Sequence, residues 1–171
     1  MPHVPSNTTA SVAILTASDT RTLEEDKSGE IIAQKLLEQG HTVVERVILR
    51  DEPNHIVAKI TEWIQLPSVE VIIVTGGTGA SARDITPDVL LPMFDATLPG
   101  FGELFRQLSY REIGAGAMLS RAEAGWIDVR GTRKVLFLLP GSPKAVSLAL
   151  EKLILPQLGH LLDICRLEHS Q

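Results

Sequence analysis

The chain has 171 residues, 44% hydrophobic and 22% charged, which suits one domain with a sizeable core and is too apolar for a disordered chain. A formal net charge of −5 excludes the dense basic face of a nucleic-acid binder, and the single cysteine, Cys165, excludes an internal disulfide and points to a reducing, cytoplasmic setting. Residues 1–82 hold six basic and eleven acidic side chains whereas residues 83–171 hold ten of each, so an anionic ligand is better placed against the second half.

Residues 1–10 carry Pro2, Pro5, Ser6 and Asn7 without an apolar run, which makes them neither a signal peptide nor a membrane span. The expected organisation is a mobile tail at 1–10, one domain at 11–165 and a C-terminal tail at 166–171. A first strand is predicted at 11–16, followed by a loop with Ser18, Asp19 and the acidic cluster Glu24, Glu25 and Asp26. Ser28 is expected to cap a helix that presents Ile32 and Leu36 on one face and stops at Gly40. A second strand at 42–49 ends at Asp51-Glu52-Pro53, and Ile56, Ile60, Trp63 and Ile64 mark the next helix. The third strand, 69–75, leads into Gly76-Gly77-Thr78-Gly79 and on to Arg83-Asp84. Helices are predicted at 87–94 and, after Pro99-Gly100, around Phe101, Leu104, Phe105 and Leu108; 118–128 is ambiguous by periodicity. A buried strand at 135–139 is broken by Pro140-Gly141-Ser142-Pro143 before a last helix with Val146, Leu150 and Leu153 inward.

Alternating strands and amphipathic stretches without a linker predict one α/β domain with a largely parallel sheet. Ligands of such sheets sit at the carboxyl ends of the strands. Four loops belong to that edge: Ser18-Asp19, Asp51-Glu52, 75–84 and 140–142.

The stretch 75–84 reads as a phosphate loop. Its glycines allow close backbone approach, and Thr86-Pro87 opens a helix whose free N–H groups attract anions. Ser142-Pro143 repeats that hydroxyl-proline start. A carboxylate beside a phosphate site repels the ligand unless a cation intervenes, so Asp84, with Asp51, suggests Mg²⁺; a turn role is the plain alternative for each acid. No Gly-Lys-Ser/Thr occurs, which excludes a Walker A loop. The dinucleotide pattern fits only loosely at 77–82, after the third strand and ahead of an intervening Arg83-Asp84. The histidines at 3, 41, 55, 160 and 169 form no zinc motif, and Ser81, Ser120 and Ser142 have no nearby histidine base.

Five ordered motifs then coincide: Thr75-Gly76-Gly77-Thr78-Gly79, Arg83-Asp84-Ile85-Thr86-Pro87-Asp88, Pro99-Gly100-Phe101-Gly102-Glu103, Leu119-Ser120-Arg121-Ala122 and Leu139-Pro140-Gly141-Ser142-Pro143. Together they resemble the molybdopterin-binding MoaB/Mog family of molybdenum cofactor biosynthesis, over almost the whole chain. The resemblance implies a three-layer α/β/α sandwich, assembly as a homotrimer or hexamer, and Mg²⁺-dependent transfer of AMP from ATP to molybdopterin with release of pyrophosphate. A downstream molybdate-insertion enzyme would use the product. It also implies that Asp51 and Asp84 are the catalytic, metal-holding acids. Substrate contacts are implied at Thr75, Gly76, Gly77, Thr78, Gly79, Ser120, Arg121, Gly141 and Ser142. The alternative is a non-catalytic molybdopterin-binding or carrier protein of the same pathway.

Overall fold

The computed structural model describes residues 6–167. In chain order it places β1 (Ser11–Ala17), α1 (Lys27–Glu38), β2 (Thr42–Leu49), α2 (Pro53–Gln65), β3 (Val71–Thr75) and α3 (Thr86–Leu90). There follow the short β4 (Ala96–Thr97), α4 (Pro99–Ile113), β5 (Glu123–Val129), β6 (Thr132–Leu139), α5 (Pro143–Ala149) and α6 (Leu155–Leu167). The six strands form one sheet in the order β2-β1-β3-β6-β5-β4. β2, β1, β3 and β6 are parallel, and β5 and β4 continue antiparallel beyond β6.

Period-two alternation divides every central strand between two helical layers. Val12 and Ile14, Val71 and Ile73, and Val135 and Phe137 face one core with Ile32, Phe105, Val146 and Leu158. Their neighbours Ala13 and Leu15, Ile72 and Val74, and Leu136 and Leu138 face the other, against Ile56, Ile60, Trp63 and Leu90. All five residues of β3 are buried, as a strand covered on both faces requires. The result is the three-layer α/β/α sandwich, with β1 and β3 side by side at the point where successive connections turn to opposite sides of the sheet.

Several local details depart from the sequence reading. Asp26 caps α1, its Oδ1 accepting the Gly29 N–H at 2.9 Å, while Ser28 is buried and donates instead to Gly141 O. Thr86 is the first residue of α3 and not its cap; its hydroxyl donates to Gly76 O. The helix expected at 87–94 closes after five residues and tightens into a 3-10 turn at Leu91–Met93. Residues 118–128 resolve into the end of a 3-10 segment, Gly114–Leu119, and β5. The last helix passes through a π turn, Leu150–Ile154, just before Pro156, which has no N–H to give a regular turn.

The helical run Pro143–Arg166 is long and apolar enough to cross a membrane, but one face of it, with Val146, Leu150, Ile154, Leu158 and Leu162, is packed in the core. The two expected tails divide. Residues 1–5 and 168–171 lie outside the described residues. Ser6 and Thr8 donate to Asp163 of α6 at 2.6 and 2.5 Å, Ala10 N–H donates to His41 Nδ1, and Arg166 within α6 pairs with Glu70 at 2.5 Å.

Candidate functional site

The loop after β3 can exist only with glycine at two positions. Gly76 has φ +99°, and a side chain there would run into the carbonyl of Ala17 at the end of β1. Gly77 has φ +65°; its missing Cβ would collide with Thr86 Oγ1 and stand 3.0 Å from Asp51 Oδ1. The absence of side chains thus brings the ends of β1, β2 and β3 to one point. The loop after β6 joins them: Gly76 N–H donates to Leu139 O at 3.0 Å and Thr75 Oγ1 donates to Pro140 O at 2.8 Å.

The carbonyls of these loops are taken by donors of the protein. Gly76 O accepts from Thr86 Oγ1 at 2.8 Å, Gly77 O from Thr86 N–H at 3.0 Å, Thr78 O from Arg121 N–H at 2.8 Å and Gly79 O from Arg121 Nε at 2.8 Å. Across the cleft, Gly141 O accepts from Ser28 Oγ at 2.8 Å and Arg21 Nη1 at 3.2 Å. Among the described residues no hydrogen bond uses the N–H of Gly77 or Thr78. A backbone whose oxygens are occupied and whose N–H groups are unspent is suited to an anion.

All four predicted loops converge on one cleft of about 540 Å³, lined by Ser18, Asp19, Arg21, Asp51, the glycine loop, Arg83, Asp84 and Pro140 to Ser142. Thr75 and Thr78 belong to the loop but are buried within it. Ser142 lines the cleft and caps α5, its Oγ accepting the Ala145 N–H at 3.2 Å. Ser120 lies in an adjoining cavity of about 260 Å³, which shares Thr78, Gly79, Pro140 and Ser142 with the cleft and adds Phe105, Ile113 and Leu119. Arg121 lines neither; its guanidinium is spent on Gly79 O, the Asp84 carbonyl and both carboxylate oxygens of Asp88.

The two expected acids differ in state. Asp84 Oδ2 accepts from the Ser81 hydroxyl at 2.6 Å and the Ser81 N–H at 3.0 Å, and the Ser81 hydroxyl bond is the main reason its carboxyl lies below the usual range. Asp51 Oδ1 is buried and has no hydrogen-bond partner. Burial first, and then the charges of Asp19 and Asp84, push its carboxyl above the usual range, with Arg83 opposing. Asp19 escaped the sequence reading as a site acid; it accepts the Asp51 N–H at 3.3 Å and pairs with Arg83 at 3.5 Å. Its place in a predicted edge loop was the available signal.

Among the described residues no three His, Cys, Asp or Glu side chains gather as a cation cage. An unpartnered buried carboxylate oxygen beside two like charges still fits Mg²⁺, because that ion keeps several waters and takes its remaining ligands from substrate phosphates. Asp51 would hold it, with Asp84 contributing charge while its carboxylate shapes the loop.

Comparison with known proteins identifies the family. The family described as "Probable molybdopterin binding domain" matches residues 13–160. Molybdenum cofactor biosynthesis protein B of Bacillus cereus is 46% identical over 149 residues, 86% of each chain. A crystal structure of molybdenum cofactor biosynthesis protein B superposes with TM-score 0.87 at 42% identity, covering 97% of this chain and 99% of the other. The tungsten cofactor synthesizing protein MoaB from Pyrococcus furiosus superposes with TM-score 0.83 at 37% identity, covering 92% and 98%. With the glycine loop, the Arg-Asp-x-Thr-Pro segment and the Pro-Gly-Ser loop meeting at one cleft, the chain belongs to the molybdopterin-binding domain family of molybdenum cofactor biosynthesis.

Proposed function

We propose that this protein transfers the AMP moiety of ATP to the terminal phosphate of molybdopterin, releasing pyrophosphate, as a step of molybdenum cofactor biosynthesis. The observation that carries the reading is the buried, unpartnered Oδ1 of Asp51 beneath the phosphate loop. Such an oxygen costs about 1–3 kcal/mol where it stands, and a structural role would have given it a donor. The names of the relatives support the pathway, and the two joined cavities support two ligands: a polar, acid-bearing cleft for a polyphosphate and a more apolar one, with Ser109 and Ser120, for an organic ring.

The nucleophile is a phosphate oxygen of molybdopterin, already anionic at neutral pH, so no general base is needed. It attacks the α-phosphorus of ATP; the α,β-bridging P–O bond breaks and its electron pair leaves with pyrophosphate. The chain's task is to align that displacement and offset repulsion between two polyanions. The N–H groups of Gly77 and Thr78 hold phosphate oxygens, Arg21 and Arg83 add positive charge at the rim, and the Pro140 to Ser142 loop forms the opposite wall. Asp51 would hold Mg²⁺, which would supply neutralisation of phosphate charge when bound.

Incubating the protein with ATP, Mg²⁺ and molybdopterin and measuring pyrophosphate tests the reading. Release that requires molybdopterin is expected. Molybdopterin binding without release identifies the carrier alternative.

A further inference from the structure

Arg121 lies outside the cleft, yet its hydrogen bonds reach much of the loop that forms it. Its backbone N–H donates to Thr78 O at 2.8 Å, its Nε to Gly79 O at 2.8 Å, and its Nη2 to the carbonyl of Asp84. Its Nη1 meets both oxygens of Asp88, at 2.8 and 2.9 Å. A guanidinium is a rigid planar fork, so fixing one edge on Asp88 fixes the direction of the other donors. Asp88 stands in the first turn of α3, next to Pro87, and so joins the clamp to the helix whose Thr86 holds the carbonyls of Gly76 and Gly77. Between them, Arg121 and Thr86 take the carbonyls of all four residues from Gly76 to Gly79.

A peptide unit points its C=O and N–H in opposite directions. Drawing a carbonyl to one side therefore turns the following N–H to the other. Thr86 thus directs the Gly77 and Thr78 amides themselves. We propose that Arg121, oriented by Asp88, is a positioning residue: with its side chain it holds the carbonyls of Gly79 and Asp84, pinning the following part of the loop so that the Gly77 and Thr78 amides stay where Thr86 directs them, and it does not itself touch substrate. The effect on rate rests on the AMP-transfer reading above; the effect on loop order does not.

Two measurements on the full chain test this. The first is steady-state AMP transfer by Asp88→Asn, Arg121→Lys, Arg121→Ala and the Arg121→Ala/Asp88→Asn double variant. The second is amide hydrogen exchange over residues 76–84 without substrates. Asp88→Asn and Arg121→Lys should each lower kcat about tenfold with KM for ATP within about twofold, and Arg121→Ala about a hundredfold, the scale of a mispositioned site. The double variant should be no worse than Arg121→Ala, since Asp88 acts only through Arg121. Loop amides should exchange faster in each variant, with the β3 core unchanged. The inference is overturned by unchanged loop exchange, by an Arg121→Ala defect confined to KM, or by tighter ATP binding in Asp88→Asn, the behaviour of an arginine released onto a phosphate. If the unaltered protein transfers no AMP, the proposed function fails, and hydrogen exchange alone decides the clamp.

Discussion

Replacing Gly77 by alanine separates two costs that Gly40 allows to be told apart. Both residues have positive φ, +65° at Gly77 and +80° at Gly40. Alanine in that conformation costs about 1–2 kcal/mol at either position. A Cβ at Gly40 meets nothing within 4 Å, so the cost ends there. At Gly77 the new methyl falls on Thr86 Oγ1 and within 3.0 Å of Asp51 Oδ1. Thr86 is fully buried, so its hydroxyl can yield only by giving up the 2.8 Å bond to Gly76 O, a further cost of about 1–3 kcal/mol. The totals are about 2–5 kcal/mol for Gly77→Ala and about 1–2 kcal/mol for Gly40→Ala. For a chain of this size each kcal/mol lowers Tm by about 2–4 °C, so the expected losses are about 4–20 °C and about 2–8 °C. Calorimetry on the two variants under one buffer gives the comparison. Equal losses would refute the close approach of the glycine loop to Thr86 and Asp51.

Three further outcomes follow from the same contacts. Asp51→Asn should unfold at a higher temperature than the unaltered protein at pH 7: the folded carboxyl lies above its ordinary value of 3.8, so the folded state binds the extra proton and stability falls as pH rises through that window. The gain should vanish below about pH 4, where both states are protonated; a gain that persists there contradicts the charge assignment. His41 is buried, its Nδ1 accepts the Ala10 N–H at 3.0 Å, and burial holds it below 6.5, so the unfolded chain takes up the proton first. Stability should drop as pH falls from 6.5 through the folded value, and a flat Tm profile across that range, or no change in the profile in His41→Asn, would count against it. Ser28→Ala removes the 2.8 Å bond to Gly141 O, which should cost about 1 kcal/mol and weaken nucleotide binding through the loosened far wall, measured by titration calorimetry; stability loss with intact affinity would separate the wall from the ligand.

Much of the fold is legible because its central strands have no freedom. The apolar runs that become β3 and β6 are covered on both faces, and the spacing of Ile56, Ile60, Trp63 and Ile64 is that of a helix with one buried side. β5 was not legible: it lies antiparallel toward the sheet's edge, and Gly125 and Trp126 blur its alternation because Gly125 must admit Phe94 and the Ala96 carbonyl. Ser28 and Thr86 look like helix caps by their neighbours, but their hydroxyls are used across the fold, on Gly141 O and Gly76 O, and such partners cannot be read from local sequence. The site shows the same division. Its four loops were legible as an edge, whereas the difference between Asp51 and Asp84 depends on Ser81 bonding one and nothing bonding Oδ1 of the other. Arg121 and Asp88 are 33 residues apart, and their pairing exists only in the folded chain.

On the proposed reading Asp51, whose Oδ1 is buried without a partner beneath the glycine loop, serves AMP transfer to molybdopterin. The most direct measurement is mass spectrometry of molybdopterin after incubation with ATP and Mg²⁺, using the unaltered protein and Asp51→Asn side by side. The expected result is a product heavier by one adenylyl group with the unaltered protein, pyrophosphate in equal amount, and neither with a folded Asp51→Asn. Equal product from both proteins, or none from the unaltered one under conditions where it binds molybdopterin, would contradict it.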